Sequence, residues 1–311
     1  MSYLSVLKGT VRPAPGFASP NLRLVQYAAL GLLLTMAAGA RFASGQSLNW
    51  EGQTGVFVTP LAYTAPSAKK KLGKPVIAYH YLNGGKVLGD FHQASLTVGA
   101  LGRTEFGYNR DLHSQGGTAG LSSLWGNGFN SFHGKLNFVP EDFAKQKWLP
   151  AISAGFVART QVYNVGGWIE GKRTNNADFY VVATKTITET KKLPIVLSAG
   201  YKATNASVLG LAGNAPAYRG RAFGAAAFVF KGPAKSTIIL GSELLQEPRD
   251  VQALPGAIVP TTITYAIRIV PLAEKQKFNV DFGVAQAAGQ IMPGVNLYAR
   301  HQFALGISYG L

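Results

Sequence analysis

The sequence predicts an all-β fold: a transmembrane up-and-down antiparallel β-barrel of about 12 strands that follows an N-terminal signal peptide. Three observations support this prediction. Apolar and polar residues alternate in many segments of 8–11 residues, short and long connections alternate between those segments, and the last strand runs to the final residue. An up-and-down membrane barrel has all three features, because tight turns join its strands at one end and longer loops join them at the other.

The C-terminal stretch Phe303–Leu311 shows the alternation most clearly. Every odd position is large and apolar, and every even position is Ala, Gly or Ser. This period of two is typical of a β-strand with one apolar face. At the open edge of a sheet such a strand promotes aggregation. In a barrel within lipid it is the closing strand, with its apolar face toward the acyl chains.

Composition agrees with a membrane barrel. Only 14% of the residues are charged, and Gly accounts for 37 of 311, whereas soluble domains carry about 25% charged residues. A Gly-rich soluble sandwich is the alternative. The chain has no Cys, and its net charge is +16. Because the bases are scattered singly, apart from the run Lys69-Lys70-Lys71, we predict no nucleic-acid partner.

Residues 1–45 are predicted to be a signal peptide. The uncharged segment Tyr27–Ala38 is shorter than the roughly 20 residues that a spanning helix needs, and it fits the apolar region of a secretory signal. Ala43-Ser44-Gly45 offers a cleavage site before Gln46, and Ala38-Gly39-Ala40 offers another. An N-terminal membrane anchor is the alternative. Export through the inner membrane then leads to the outer membrane, whose lipid is an expected partner.

The mature chain divides into a lead-in at 46–74, either periplasmic or packed in the lumen, and a barrel at 75–311. The lead-in contains one candidate short strand, 55–60. The twelve predicted barrel strands are 75–82, 91–101, 103–110, 132–139, 149–160, 178–188, 194–204, 221–230, 236–245, 261–270, 277–285 and 297–311. With an even number of strands, both ends of the barrel lie in the periplasm.

The alternation also predicts which charged side chains face the lumen, since charge on the lipid side is unfavourable near the membrane centre. By parity these are Arg103, Glu105, Lys135, Arg159, Lys202, Glu243, Arg268 and Asp281. Five bases against three acids predict an interior with a weak preference for anions. Alternatively the charges pair with each other across the lumen and close it, and the sequence leaves pore and plug equally open.

The last strand resembles the C-terminal signal that outer-membrane barrels present to the barrel-assembly machinery. The resemblance rests on Gly306, Tyr309 and Leu311. It departs from that signal in ending with Leu where Phe is commoner. The resemblance implies the assembly machinery as a partner, and an ordinary edge strand is the alternative.

Two further stretches resemble outer-membrane barrels of the YjbH type. One is Gly55–Pro60, and the other joins Leu149–Val157 to Asp178–Lys185. The similarity covers about a quarter of the chain, and it departs from the family at Ala158-Arg159, where the family carries an acid. It implies a barrel that assists the export or surface handling of polysaccharide. No catalytic residue carries over.

Catalytic and metal-binding patterns are weak. The five His, namely His80, His92, His113, His133 and His301, form no HxxxH or HExxH motif, so we predict neither metal nor cofactor. Ser95, Ser153 and Ser198 fall on predicted lumen faces, without a GxSxG motif. The Gly-rich stretch 111–131 lacks the GK[ST] of a phosphate-binding loop. It reads as an outer loop, whose Trp125, Phe129 and Phe132 suit an interfacial girdle or stacking on a sugar.

Three functions remain in view. The favoured one is a narrow channel or export accessory for anionic or glycan solutes, with no enzymatic activity. The first alternative is a structural or adhesive barrel with a plugged lumen. The second alternative is a membrane-embedded hydrolase.

Overall fold

The computed structural model describes most of the barrel and the segment that precedes it. The described residues are 47–84, 89–117, 128–160, 175–188, 193–211, 213–251, 254–271, 278–288, 290–292, 295–296 and 302–311. They form one closed antiparallel β-barrel of twelve strands. The predicted fold class is therefore confirmed. The predicted signal peptide, Trp125 and His301 lie outside the described residues.

Sixteen strands are present among the described residues. In chain order they are β1 (Val76–Asn83), β2 (Gly89–Ala100), β3 (Thr104–Gln115), β4 (Phe129–Val139), β5 (Ala151–Thr160), β6 (Asn176–Ile187), β7 (Ile195–Ala206), β8 (Asn214–Lys231), β9 (Thr237–Leu245), β10 (Asp250–Val251), β11 (Leu254–Ile258), β12 (Thr261–Val270), β13 (Phe278–Ala288), β14 (Gln290–Met292), β15 (Val295–Asn296) and β16 (Gln302–Gly310). The pairs β10–β11 and β14–β15 form small two-stranded sheets outside the barrel. Strands this short carry too little alternation to be predicted from sequence.

The barrel has the simplest up-and-down order. Each barrel strand pairs with the barrel strands that precede and follow it, and β1 pairs with β16 to close the sheet, from Val76 opposite Gly310 to Leu82 opposite Ala304. Closure leaves no unpaired edge. The chain enters β1 and leaves β16 at the same end, where the Leu311 N–H donates to the Pro75 carbonyl at 2.9 Å.

The two ends of the barrel differ in their connections. The end that holds Pro75 and Leu311, here called the turn side, has the connections 101–103, 140–150, 188–194, 232–236 and 271–277. The opposite end, the loop side, has mostly longer ones. The predicted loop 111–131 is shorter than expected, because β3 extends to Gln115 and β4 begins at Phe129.

The outer surface of the barrel is apolar. Its exposed large side chains include Leu96, Phe106, Tyr108, Phe132, Leu136, Phe156, Phe179, Val181, Leu197, Tyr201, Phe228, Leu240, Tyr265, Ile267, Phe282 and Phe303. On β16, Ala304, Gly306 and Ser308 are buried and point inward, whereas Phe303 is 48% exposed. Tyr309 shares the parity of Phe303 but is only 7% exposed.

Residues 47–74 precede the barrel, and much of this segment lies inside it. The predicted short strand at 55–60 does not form. Its first and last residues, Gly55 and Pro60, make an isolated bridge instead, and Leu48 makes another with Thr54 just before them. Among the described residues, no helix is long and apolar enough to cross a bilayer.

Candidate functional site

The candidate site is the lumen, together with residues 47–65, here called the lumen segment. Hydrogen bonds join the lumen segment to ten of the twelve barrel strands. The wall partners are His80 on β1, Thr97 on β2, Glu105 and Asn109 on β3, Lys135 and Asn137 on β4, Ser153 and Arg159 on β5, Tyr180 and Thr184 on β6, Glu243 on β9, Arg268 on β12, Asn279 and Asp281 on β13, and Ser308 on β16. The segment therefore touches almost the whole circumference of the lumen.

Apolar side chains hold the middle of the lumen segment in place. Trp50 and Phe57 are each 2% exposed and belong to a core cluster with Tyr180 and Phe223 of the wall. This is a small hydrophobic core inside an otherwise polar lumen. Burial of two large aromatic side chains favours the occupied state by several kcal/mol, at roughly 25 cal/mol per Å² of apolar surface.

A glycine on the wall allows the segment to approach closely. A Cβ at Gly99 would lie 2.0 Å from the Ala65 carbonyl oxygen. No other residue type fits between this carbonyl and β2 without a shift of the backbone. The Gly73 N–H also donates to the Gly99 carbonyl, at 2.7 Å.

Glu105 on β3 anchors the segment on one side of the lumen. Its carboxylate accepts from the Thr54 N–H at 3.0 Å and from the Ala65 N–H at 2.7 Å. Lys135 on β4 lies 2.8 Å away and donates to the Thr54 and Leu61 carbonyls. Both charges are buried, and the segment's backbone satisfies them further.

Glu243 on β9 anchors the segment on the other side. Its carboxylate accepts from the Val58 N–H at 3.0 Å, from the Thr59 N–H at 2.7 Å and from the Thr59 hydroxyl at 2.7 Å. Thr264 on β12 donates to the second oxygen. No base lies within ion-pair distance of Glu243 among the described residues. Its charge is therefore stabilised by neutral donors alone.

These two anchors lie across the lumen from each other. In the order of the twelve strands, β9 is six positions from β3, and β12 is six positions from β4. Thr54 and Thr59 are five residues apart, a distance of at most about 18 Å in an extended chain. The chain between them crosses the lumen, so this part of the segment obstructs it.

A third anchor is the ion cluster around Arg159 on β5. The Arg159 Nε donates to Glu51 of the segment at 2.7 Å, and its Nη2 donates to Asp178 on β6 at 2.9 Å. Lys202 on β7 lies 3.2 Å from the same Asp178 oxygen, and Thr204 also donates to Asp178. Glu51 is thus the acid that the segment contributes to a cluster otherwise built by the wall.

A fourth contact comes from Arg268 on β12. Its Nε lies 2.6 Å from Asp281 on β13, and its guanidinium donates to the Gly55 and Val56 carbonyls. Ser47 donates to Asn279 and Asp281 on β13, at 3.1 and 3.2 Å. This ion pair joins adjacent wall strands, and the segment adds neutral hydrogen bonds to it.

Seven of the eight charged residues predicted for the lumen lie there: Glu105, Lys135, Arg159, Lys202, Glu243, Arg268 and Asp281. Arg103 does not. It is exposed in the turn 101–103, because β3 begins one residue later, at Thr104. Asp111 and Asp178 are buried lumen acids that the prediction omitted. With Arg268, whose side chain is 14% exposed, the described strands place five acids and four bases in the lumen, so the predicted excess of positive charge is absent.

The three residues of the predicted assembly signal lie at the closing seam. Gly306 pairs with His80 of β1, and a Cβ at Gly306 would lie 2.7 Å from the His80 ring. Tyr309 pairs with Ile77. Leu311 follows β16 on the turn side. Whether the assembly machinery binds this strand stays a prediction.

The histidines and serines show no catalytic arrangement among the described residues. His80 bonds Gln93 at 2.7 Å and the Leu48 carbonyl at 3.1 Å. Ser153 donates to the Ala62 carbonyl, and Ser198 bonds Thr184. No histidine is a hydrogen-bond partner of these two serines or of Ser95 in the described part of the chain. The same residues hold no group of three or more His, Cys, Asp or Glu suited to a metal.

One further buried acid lies in a connection on the loop side. Glu247 accepts from the Val208 N–H at 3.0 Å. Burial raises the pKa of Glu247 to about 7, although nearby Lys202 and the Val208 N–H lower it in part. Glu247 therefore changes charge near neutral pH. Sequence offered no signal for this site, because the contact joins two separate connections.

The chain matches no family model and no curated protein. Solved structures of similar fold include the KdgM porin (10% identity, covering 76% of this chain and 99% of that one, TM-score 0.43). The NanC porin is similar at 8% identity, over 76% and 100% of the two chains, with a TM-score of 0.45. The COG4313 outer membrane channel from Pseudomonas putida F1 is similar at 12% identity, over 82% and 100%, with a TM-score of 0.43. At these scores the likeness decides nothing about the function of this chain.

Proposed function

We propose that this chain is an outer-membrane β-barrel that provides a narrow solute channel, and that the lumen segment closes the channel in the state described. The membrane assignment is supported by the outer face of the barrel. Exposed large apolar side chains occur on eleven of the twelve barrel strands, whereas the exposed apolar surface of a soluble monomer is usually limited to patches of about a few hundred Å². In lipid, this band faces the acyl chains, and the polar residues face the lumen.

The observation that carries the channel assignment is the pairing of the wall charges with one another. Glu105 pairs with Lys135, Arg159 and Lys202 with Asp178, and Arg268 with Asp281. All of these pairs join neighbouring strands. The wall therefore keeps its ion pairs when the segment leaves, and it suits a water-filled passage. In a barrel that is plugged permanently, the wall charges could pair with the plug and would not have to pair with one another.

The lumen segment is also suited to leaving. It contributes mostly neutral groups, namely backbone N–H and C=O groups and hydroxyls, and water can replace their hydrogen bonds at small net cost. Glu51 is the exception, since it pairs with Arg159. We expect the closed state to dominate and openings to be infrequent.

A reversible cross-link tests whether the segment moves. The chain has no Cys, so Ser47→Cys with Asn279→Cys introduces one pair of thiols, at positions whose side chains hydrogen-bond at 3.1 Å. Oxidation should abolish channel openings in planar bilayers, and reduction should restore them. The control is Ala226→Cys with Ser242→Cys, an outward-facing pair on β8 and β9, which should open in both redox states.

The alternative is a structural or adhesive barrel with a permanent plug, and the ten-strand contact of the lumen segment favours it. It predicts that the wild-type protein never opens, oxidised or reduced. Frequent openings that persist after oxidation of the Ser47–Asn279 pair would contradict gating by the segment.

The charges of the lumen wall bear on which solutes the open channel would admit. With Asp111 and Asp178 inside and Arg103 outside, the buried wall charges have no positive excess. We therefore expect little selectivity between small anions and cations in the open state, contrary to the preference predicted from sequence. Reversal potentials under a salt gradient measure this. A role in polysaccharide export, implied by the YjbH-type resemblance, stays a prediction.

A further inference from the structure

The turn-side rim of the barrel carries dense positive charge. Its exposed bases, among the described residues, are Lys69, Lys70, Lys71, Lys74, Arg103, Lys145, Lys147, Lys231 and Lys235. The acids of the connection 140–150 are Glu141 and Asp142, and both lie within ion-pair distance of a further base, Lys185. The rim therefore has a large net positive charge at neutral pH.

Most of these bases lie in one sector of the rim. The Lys71 carbonyl accepts from the Leu101 N–H at 3.2 Å, which fixes the lysine run beside the turn 101–103. The Asn137 N–H donates to the Arg103 carbonyl at 2.7 Å, which joins that turn to β4. The connection 140–150 follows β4 directly. We call residues 69–72, 101–103 and 143–148 the basic sector.

Large apolar side chains alternate with the bases of this sector. Trp148 is 73% exposed, Leu72 68%, Leu101 60% and Phe143 51%. Lys145 and Lys147 lie between Phe143 and Trp148 in the chain. On β4 the outward side chains Leu136 and Phe138, 49% and 46% exposed, continue this apolar surface toward the middle of the barrel. The basic sector thus lies at the edge of the apolar band.

We propose that the basic sector binds the phosphate headgroups of anionic phospholipids in the leaflet on the turn side. The inference rests on the membrane embedding proposed above. In that position, Trp148 and Phe143 lie at the level where aromatic side chains favour the bilayer interface. The neighbouring lysines then reach the headgroup phosphates, and exposed bases near an anionic surface each add to the attraction.

A soluble anionic glycan is the competing occupant, since it also carries negative charge. The exposed aliphatic side chains of Leu72 and Leu101 favour lipid, because they offer a glycan no stacking surface and would stay in contact with solvent. The continuity with the apolar surface of β4 favours lipid as well. A glycan is therefore treated as an outcome of the test.

The experiment measures which lipid surrounds Trp148. The protein is reconstituted in phosphatidylcholine vesicles that contain either brominated phosphatidylglycerol or brominated phosphatidylcholine, at equal mole fraction and low salt. Bromine quenches tryptophan fluorescence at close range, and subtraction of the Trp148→Phe variant isolates Trp148 from the other three tryptophans. We expect stronger quenching by the anionic lipid. The ratio of the two signals should approach one in K145Q/K147Q and stay unchanged in the loop-side control R219Q/R249Q.

Four results would overturn the proposal. Equal quenching of the wild-type protein by both lipids would exclude an anionic preference. An equal loss of preference in both double variants would make the effect one of net charge alone. If the lipids quench equally while soluble dextran sulfate shifts the Trp148 emission in a lysine-dependent way, the sector binds a soluble polyanion instead. If neither lipid quenches Trp148 and the protein also shows no heat-modifiable migration in detergent, the membrane embedding itself is wrong.

Discussion

Two glutamates on opposite sides of the lumen hold the same segment by different means. Glu105 and Glu243 are each 2% exposed, and each accepts backbone N–H groups from residues 47–65. Glu105 has a base, Lys135, at 2.8 Å on the adjacent strand. Glu243 has no base at ion-pair distance among the described residues, and its donors are Val58, Thr59 and Thr264.

This difference determines which interactions each glutamate keeps when the lumen segment leaves. On the β3–β4 side the wall keeps a complete ion pair. On the β9–β12 side, Glu243 keeps one hydroxyl partner and must take water for the rest. We infer that the β9–β12 side resists opening more strongly, because a buried carboxylate without donors is costly.

The largest effect on stability is expected for Glu105→Gln. The change leaves Lys135 charged and buried without an acid, which costs about 3–5 kcal/mol. Urea unfolding in detergent micelles, followed by tryptophan fluorescence, measures the free energy of unfolding. The control E105Q/K135M removes both charges and should regain most of the loss. A loss below about 1 kcal/mol for E105Q would indicate that the pair is already hydrated.

Glu243→Gln should cost less, about 1.5–3 kcal/mol, because it weakens charge-assisted hydrogen bonds without leaving a base unpaired. Hydrogen exchange gives an independent reading. The amides of Val58 and Thr59 should exchange faster in this variant, and the Thr54 amide on the far side should change less. If E243Q destabilised the protein more than E105Q, the contrast between the two sides would be wrong.

Thr264→Val should cost about 1 kcal/mol, the value of one hydrogen bond. The comparison variant is Thr204→Val, which removes a hydroxyl donor from Asp178 and also the acceptor of the Ala206 N–H. Asp178 keeps Arg159 and Lys202, at 2.9 and 3.2 Å, so T204V should be milder than T264V. Equal losses in the same unfolding assay would mean that the neighbouring bases do not matter.

A pH effect is expected as well, and it is confined to the loop side. Glu247 is also a buried acid without an ion-paired base among the described residues. Its pKa is raised from 4.5 to about 7 by burial, so the folded state binds the proton more tightly than the unfolded state does. Opening of the connection around Val208, which exposes Glu247 to water, should therefore become easier as pH rises from 4.5 to about 7, even though the Val208 N–H itself favours the ionised carboxylate.

Hydrogen exchange of the Val208 amide, corrected for the intrinsic rate, measures how often this connection opens. Protection should fall over that interval in the wild-type protein and stay level in Glu247→Gln. A rise in protection with pH would contradict the assigned direction.

The barrel was predictable from sequence because its signal is local. Alternation along each strand needs only that strand, and it located all twelve barrel strands and seven inward-facing charges. Local parity failed at strand ends. Arg103 has the parity of Glu105 but lies in the turn. Asp111 was assigned to a loop because the predicted strand ended at residue 110, whereas β3 extends to Gln115.

The sequence left two placements open for residues 46–74, the periplasm or the lumen, and it could not predict the contacts inside the lumen, because these join residues distant in sequence. Val58 and Glu243 are 185 residues apart, and Ser47 and Asp281 are 234 apart. Residues 47–65 have no strand or helix period, so the pattern gave no indication of how they pack. The contact between Glu51 and Arg159 could not be predicted from sequence for the same reason.

The central claim is that residues 47–65 close the lumen, and their deletion tests it most directly. The variant joins residue 46 to Pro66 and keeps every barrel strand. Heat-modifiable migration in detergent first shows whether the barrel still forms. Single-channel recording in planar bilayers should then show long, stable openings for the variant, against a closed baseline with rare openings for the wild-type protein. A folded deletion variant that never conducts would contradict the account, since the wall itself would then close the barrel.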